Sequence, residues 1–520
     1  MKKNTKKTDI IIITVMLLIV AAFLCSIVGK KESTETSSKE SMYTSFEDLK
    51  QARIGVMTGS AFDELIHDYF SEGNISYYNS EQDMALAIST GKLDAFVTDE
   101  SIAKELKAAN ADITYLPESL GTTPYGIAFA KNEKSDRIRM QFDEFLQEIK
   151  ADGTYEELQE IWFGEDEAKK TVDMTNLTGE NGTLKFAIDG ITAPFSYTKD
   201  GIMVGYDVDM VVRFCRKYGY KPEMMTMDFA AIIPGIVSGK YDFGGGCMTI
   251  TQERQESVNF SNPNYESDIV LVVKKEDSTE SDKGLFTGIA ESFEKNFIRE
   301  NRWRLIVQGI GTTLMITLLS AIFGTIFAFG ICMFRRTGSR LAIKLSDIYV
   351  RLLQGTPMVV LLMILYYVVF GNSGLDAVFV AVIGFSLNLA AYVSEIMRSG
   401  IESIDGGQRE AALALGFTEN QAFFKFIFPQ AAQRFLPVYK GEIVSLLKGT
   451  SIVGYIAIQD LTKMGDIIRS RTYEAFFPLI VTAVIYFILA WILSFVLSRV
   501  EISINPKRRK KEVKGVKTYE

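Results

Sequence analysis

Hydrophobic and polar positions divide the 520-residue chain into three regimes. Residues 1–30 carry a basic start, MKKNTKK, and then a continuous apolar run, IIIITVMLLIVAAFLCSIVG. From Ser45 to Asn301 apolar residues come in short runs separated by polar ones. Beyond that, long apolar runs return near Gly309–Met333, Tyr349–Phe370, Val378–Met397, Phe435–Ile458 and Phe476–Val500. Each of these is long enough to cross a hydrocarbon layer of about 30 Å, so the last two-fifths of the chain reads as five membrane spans.

The middle regime alternates strand and helix patterns. RIGVMT, ISYYN, DAFVTD, ITYLPE and YGIAFAK read as strands, and AFDELIHDYF, SEQDMALAIST and ESIAKELKAAN as helices. The stretch DGTYEELQEIWFG then looks like the end of a domain, and a polar linker follows, EDEAKKTVDMTNLTGENG. After it the alternation resumes through LKFAID, VDMVVRFCRKYG, EMMTMD, FAAIIPGIVSG, YDFGGG and IVLVVKK. This is an α/β pattern with two sheets.

The formal net charge of −8 belongs mainly to this middle part, whereas the tail PKRRKKEVKGVK is basic. No aromatic-studded basic face occurs, which argues against nucleic-acid binding. Cys25, Cys215, Cys247 and Cys332 have no metal-ligand spacing, although a Cys215–Cys247 disulfide is conceivable in an exported domain. His67 is the only histidine and reads as a residue on a solvated helix face, so neither a zinc site nor a histidine acid–base centre is expected. No cofactor, metal or catalytic residue is indicated. GxxxxGK[ST] is absent; GIVSGKY at Gly235–Tyr241 has the wrong spacing. Hydrolysis of ATP would therefore need another subunit.

Loop charges orient the spans. The N-terminal segment is either a cleaved signal or an anchor, and we read it as an uncleaved anchor. The linker after it, KKESTETSSKESMYTS, reads as disordered. With one anchor and five further spans, the basic segments MKKNTKK, Arg335–Arg336, Arg398–Arg434 and the tail all fall on the cytoplasmic side. The middle domain then falls outside. Glu395, Lys440, Glu442 and Lys448 lie in or near spans, where charges either snorkel to an interface or face a bundle interior.

Between the third and fourth of these spans stands REAALALGFTENQAFFKFIFPQAAQRFLP, a helix–Gly–helix pattern. Glu410, Ala411 and Ala412, then Gly416, then Ile427 and Pro429 resemble the EAA loop of ATP-binding-cassette (ABC) importer permeases. In that family the loop docks on the ATPase subunit. GIGTTLMITLLSAIFGTIFAFG, RLLQGTPMVVLLMILYY with Gly355-Thr356-Pro357 at a kink, and LLKGTSIVGYIAIQDL resemble other segments of the polar amino acid branch, and the likeness covers Gly309 to Val500.

Strand ends in the middle domain carry the polar groups that ligands use in open α/β sheets. Arg254 suits a carboxylate as a two-pronged donor, helped by Thr249 and the Gly59-Ser60 turn. Asp99 and Asp189 suit an ammonium. Each has a plainer reading: a solvated helix residue, a simple turn, or a helix cap. The two halves resemble a polar amino acid solute-binding domain with its second half written first, as in a circular permutation. That resemblance implies ligand contacts at Asp189, Phe229, Thr249, Arg254, Ser60 and Asp99. The family commonly has an aromatic at the place of Thr192, so the ligand would stack on Phe229 with less cover opposite.

The resemblance implies an α/β two-lobed solute-binding domain of the type II periplasmic-binding-protein kind, fused to an all-α permease of a type I ABC importer. The expected layout is an anchor at 1–30, a linker at 31–44 and a binding domain at 45–280 (halves 45–165 and 183–280). A pre-membrane helix at 281–304, a permease at 305–502 with its EAA loop at 409–430, and a tail at 503–520 complete it. The implied function is import of a polar amino acid, glutamine- or glutamate-like or related. The implied partners are two ABC ATPase subunits and a second permease half, expected as a homodimer. A ligand-gated channel or a membrane sensor built on a bilobed domain is the alternative. Permutation further predicts that the strands at Ile127–Ala130 and Ile269–Val273 are neighbours at the hinge.

Overall fold

The computed structural model describes residues 43–504 except Thr44, Ala111, 276–284, Asn372 and Ala475. The expected anchor, linker and basic tail therefore lie almost wholly outside the described residues, as does Cys25.

In the binding domain the order is β1 (Ile54–Met57), α1 (Phe62–His67), β2 (Ile75–Tyr78), α2 (Glu81–Ser89), β3 (Ala95–Asp99), α3 (Glu100–Ala109), β4 (Ile113–Tyr125) and β5 (Ala128–Phe129). The chain continues through α4 (Glu133–Asp152), α5 (Thr154–Phe163), β6 (Thr183–Ile188), β7 (Ile191–Thr192), β8 (Ser196–Lys199), β9 (Ile202–Val204) and α6 (Tyr206–Lys217). Then come β10 (Lys221–Thr226), α7 (Ile232–Val237), β11 (Phe243–Gly244), α8 (Gln252–Ser257), β12 (Asn259–Phe260) and β13 (Tyr265–Lys274).

Two five-stranded sheets result, ordered β2-β1-β3-β13-β4 and β10-β6-β11-β5-β12, with a small β7-β8-β9 sheet beside the second. Neither half of the sequence closes a sheet alone. β13 comes from the second half but inserts antiparallel between β3 and β4 of the first. β5 comes from the first half but lies between β11 and β12 of the second. Alternation along IVLVV explains why β13 occupies an interior position: Ile269, Leu271 and Val273 enter one core and Val270 and Val272 another.

The lobes are joined where β4 runs into β5 and β12 into β13; Tyr125 pairs with Tyr265 on one side and Ala128 with Phe260 on the other. The neighbours expected at the hinge are the wrong ones. Ile127–Ala130 and Ile269–Val273 fall in different sheets, because the chain changes lobe between Tyr125 and Ala128.

The DGTYEELQEIWFG stretch is internal to this unit. Gly153, at φ 89°, ends α4 and starts α5. Trp162 is fully buried and donates its indole N–H to Asp209 of α6 at 3.1 Å. Phe163 stacks on Tyr265 with ring centroids 4.5 Å apart. Cys215 and Cys247 are free thiols, so the conceivable disulfide is not formed. His67 is exposed and lies 3.4 Å from Asp63.

The remaining helices are α9 (Leu285–Phe293), α10 (Trp303–Arg336), α11 (Arg340–Gly355), α12 (Met358–Met363), α13 (Ala377–Glu402), α14 (Gly406–Ala414), α15 (Glu419–Ala422), α16 (Phe428–Gly449), α17 (Leu461–Thr472) and α18 (Phe476–Ile504). Three of these, α10, α13 and α18, are continuous helices long and apolar enough to cross a membrane; there are five crossings if each of two bent pairs is one span. The second expected span bends by 107° between α11 and the helix from Met358 to Val369. Pro357 lacks an N–H and forces Thr356 into an extended conformation, which separates the two segments. The fourth bends by 57° before α17, where Ala457 adopts φ 62°. Glu395 is paired with Arg398 at 2.7 Å and faces Arg335 at 3.7 Å, while Lys440 reaches Ser498 at 3.2 Å.

Candidate functional site

Between the lobes lies a cavity of about 20 Å³. Met57, Ser60, Ala61, Phe62, Glu81, Asp99 and Ile102 of the first lobe line it, facing Thr192, Phe229, Gly246, Cys247, Thr249 and Arg254 of the second. Such a space holds about one water, so a larger ligand can enter only when the lobes part.

Five residues singled out from the sequence meet here: Ser60, Asp99, Phe229, Thr249 and Arg254. Arg254 sits in the first turn of α8, where the Thr251 side chain caps its backbone N–H at 3.2 Å. Its guanidinium donates to the Thr249 carbonyl at 2.8 Å and, across the cleft, to the Gly59 carbonyl at 2.7 Å. It also lies over the Phe229 ring, 5.6 Å from the centroid. One side chain thus ties the closed lobes together and presents a planar donor to the cavity.

Gly59 contributes by its carbonyl rather than by the N–H groups expected of the turn, and the Ser60 N–H is used by Met57. At φ 77° the position suits glycine, and an added Cβ would come within 3.3 Å of Ala230 on the opposite lobe.

Asp99 stands at the N-cap position of α3 yet makes no side-chain cap hydrogen bond. It is buried; one carboxylate oxygen accepts from the Cys247 thiol at 3.3 Å and the other has no partner. The Ser60 hydroxyl is likewise buried without a partner. Polar atoms of this kind are costly unless something else bonds them.

Asp189, singled out with them, is not among the residues that line the cavity. Its carboxylate accepts from the hydroxyls of Thr192 and of Ser196 (2.7 Å), and weakly from the Ile191 N–H at 3.3 Å. It therefore pins the turn that presents Thr192, and burial still holds its carboxyl above the usual range.

Sequence reasoning missed Glu81 and Cys247. Glu81 opens α2 and is buried, but in sequence it is an ordinary acidic first-turn residue. Burial, with Asp189 and Asp83 nearby, pushes its carboxyl up to about 7. Asp99 is likewise raised to about 7 by burial, with Glu81 adding to it. Cys247 takes φ 63° because Asp207 accepts from the Gly246 and Cys247 N–H groups at 2.9 and 3.1 Å.

The outside of this clamp is held by α17. Lys463, 5% exposed, reaches Asp228 at 3.2 Å, next to Phe229 of the second lobe. Arg469, also buried, pairs with Asp83 of α2 in the first lobe. Gln459, just before α17, donates to Thr226 at 2.6 Å, and Met464 and Ile467 pack on Ile191. Both lobes are therefore contacted by one short helix, through residues beside those that line the cavity.

At the other end of α10 stands the helix–Gly–helix loop. Glu410, Ala411 and Ala412 lie in α14; Ala412 is buried and the other two exposed. Gly416 has φ 86° and turns the chain toward a capping box made by Thr418 and Gln421. A π turn, Phe423–Ile427, leads into α16 with Pro429 in its first turn. A groove of about 700 Å³ opens beside it, lined in part by Arg336, Ile404, Arg409, Phe423 and Ile427. Leu415 at the tip is 76% exposed. Gly309 packs on Leu461 near one end of α10 and Arg336 lies over Phe423 at the other, about 40 Å apart by helical rise.

A profile described as bacterial extracellular solute-binding proteins, family 3, matches residues 184–436. Over 198 residues the chain is 37% identical to the arginine transport system permease protein ArtQ of Bacillus subtilis (strain 168), covering 38% of this chain and 90% of that protein. It is 35% identical over 198 residues to the putative glutamine transport system permease protein GlnP of Rickettsia bellii (strain RML369-C), covering 38% and 91%. The L-cystine transport system permease protein TcyB of Bacillus subtilis (strain 168) is 33% identical over 207 residues, covering 40% and 87%. A solved chain titled as an amino acid ABC transporter with histidines is 31% identical, covering 43% of this chain and all of that one, at a TM-score of 0.37.

The chain thus belongs to the permeases of amino acid ABC transporters, and it carries a family 3 solute-binding domain in the same polypeptide. It is a membrane transport subunit and not an enzyme, and the channel and sensor alternatives lose their ground.

Proposed function

We propose that this chain is a combined receptor and permease, importing a polar amino acid with ATP hydrolysed by separate subunits. The binding domain stands outside the cell; the 409–430 loop and both termini face the cytoplasm. The amino acid is held by Arg254, Thr249 and Ser60 at its carboxylate and by Asp99 at its ammonium, against the Phe229 ring. Glu410, Ala411, Ala412, Gly416, Ile427 and Pro429 form the surface on which the ATPase acts. Two such chains form the pore with two ATPase copies.

The observation that carries the proposal is α17. Its Lys463 and Arg469 engage carboxylates on opposite lobes, so both pairs form together only when the lobes sit at their closed spacing. Closure around a ligand is thereby registered on a helix that packs against α10 and α18, the permease itself.

The test is ATP hydrolysis by the chain in lipid nanodiscs with the ATPase that co-purifies with it. At least one amino acid should stimulate hydrolysis, and two copies of this chain should cross-link across the pore. Stimulation by none of the twenty, or cross-links only to a different permease, would overturn the proposal.

A further inference from the structure

We infer that the amino acid taken by this cavity bears a second positive charge on its side chain, as an amine or a guanidinium does. The inference rests on reading the cavity as the amino-acid site and narrows it to one charge class.

Charge balance carries the argument. Two carboxylates line the cavity, Glu81 at the start of α2 and Asp99 at the end of β3, both more than nine-tenths buried. The cavity lining holds a single cation, Arg254. Asp99 has one oxygen with no partner and another engaged only by a thiol, which cannot neutralise it. With both carboxylates ionised the lining therefore sums to −1. A zwitterion adds nothing to that sum, and an acidic amino acid makes it −2. An uncompensated charge sealed from water is strongly unfavourable; without ligand the carboxyls relieve it by holding protons, and a ligand of net charge +1 takes the place of those protons.

The walls fit the same ligand. Arg254 enters from the second lobe and suits the α-carboxylate, while Asp99 and Glu81, both in the first lobe, offer one carboxylate to each ammonium-like group. Met57, Phe62 and Ile102 supply an apolar wall for a methylene stem. Burial raises both carboxyls to about 7, so the ligand-free cavity shares protons near neutrality and yields them to an entering cation. The glutamate-like ligand expected from resemblance does not suit this lining.

Calorimetry on the full chain in lipid nanodiscs, with arginine, lysine, ornithine, glutamine and glutamate, tests the inference. A basic amino acid should bind at least about tenfold more tightly than glutamine, with glutamate weakest. Glu81→Gln should weaken the basic ligand by about tenfold or more while leaving glutamine unchanged or tighter; a heat-unfolding midpoint confirms that the variant is folded. Equal or tighter binding of glutamine or glutamate by the unaltered chain would overturn the charge class and leave the amino-acid site standing. Binding of no amino acid would overturn both.

Discussion

Removing the Asp228 carboxylate should disconnect the receptor from the permease without emptying the receptor. Asp228→Ala leaves the Lys463 ammonium, 5% exposed, without its partner at 3.2 Å. Stranding one member of a buried pair costs about 3–5 kcal/mol. The Asp228 side chain is 36% exposed, so part of that interaction is screened and about 2–3 kcal/mol is the better figure. At 1.4 kcal/mol per factor of ten, the docked closed state becomes about 30- to 150-fold rarer. Amino-acid-stimulated ATP hydrolysis in nanodiscs should fall accordingly; because docking and closure are linked, ligand affinity of the full chain by calorimetry should weaken by no more than the same factor, and binding should persist. Because Lys463→Met removes the stranded ammonium, the double variant should recover part of the loss. Full stimulation in Asp228→Ala, or no recovery in the double variant, would refute the coupling through α17.

Arg254→Ala removes a fork of charge-assisted donors, each worth about 1.5–3 kcal/mol, and should weaken ligand binding at least about a hundredfold; calorimetry within twofold of the unaltered chain contradicts this. Gly416→Val places a β-branched residue at φ 86°, straining the turn by at least about 1 kcal/mol and displacing Leu415. Uptake per ATP hydrolysed should drop with ligand affinity intact, and normal uptake counts against the loop's role. Glu81 and Asp99 are raised to about 7, so the folded ligand-free chain holds protons that the unfolded chain releases near pH 4. Their contribution to stability is complete below about pH 4 and is lost as pH climbs through about 7. The heat-unfolding midpoint should contain a component that falls from pH 5 to 8 and shrinks in Glu81→Gln; an equal or larger fall in that variant opposes the assignment.

Much of this architecture is legible because it is written locally. The α/β alternation, the apolar spans and the helix–Gly–helix loop each rest on contiguous patterns, and Ser60, Asp99, Thr249 and Arg254 follow from strand ends, with Phe229 supplied by the resemblance. What escapes depends on which segments meet. β4 extends to Tyr125 through Pro117, Gly121 and Pro124, residues that stop a strand on paper. It survives because it is the edge strand of its sheet and pairs only with β13. Asp189 ends its strand as expected, but the nearby hydroxyls of Thr192 and Ser196 consume its carboxylate. Glu81 looks like a helix-start residue until lobe closure buries it. The bend before α17, set by Ala457 at φ 62°, carries no sequence signal of its own.

Uptake of labelled amino acid into proteoliposomes that contain this chain and its ATPase, with no soluble binding protein added, tests most directly whether receptor and permease work as one molecule. ATP-driven accumulation that is lost in Arg254→Ala is the predicted result. Accumulation that requires an added binding protein, or that persists in Arg254→Ala, would contradict it.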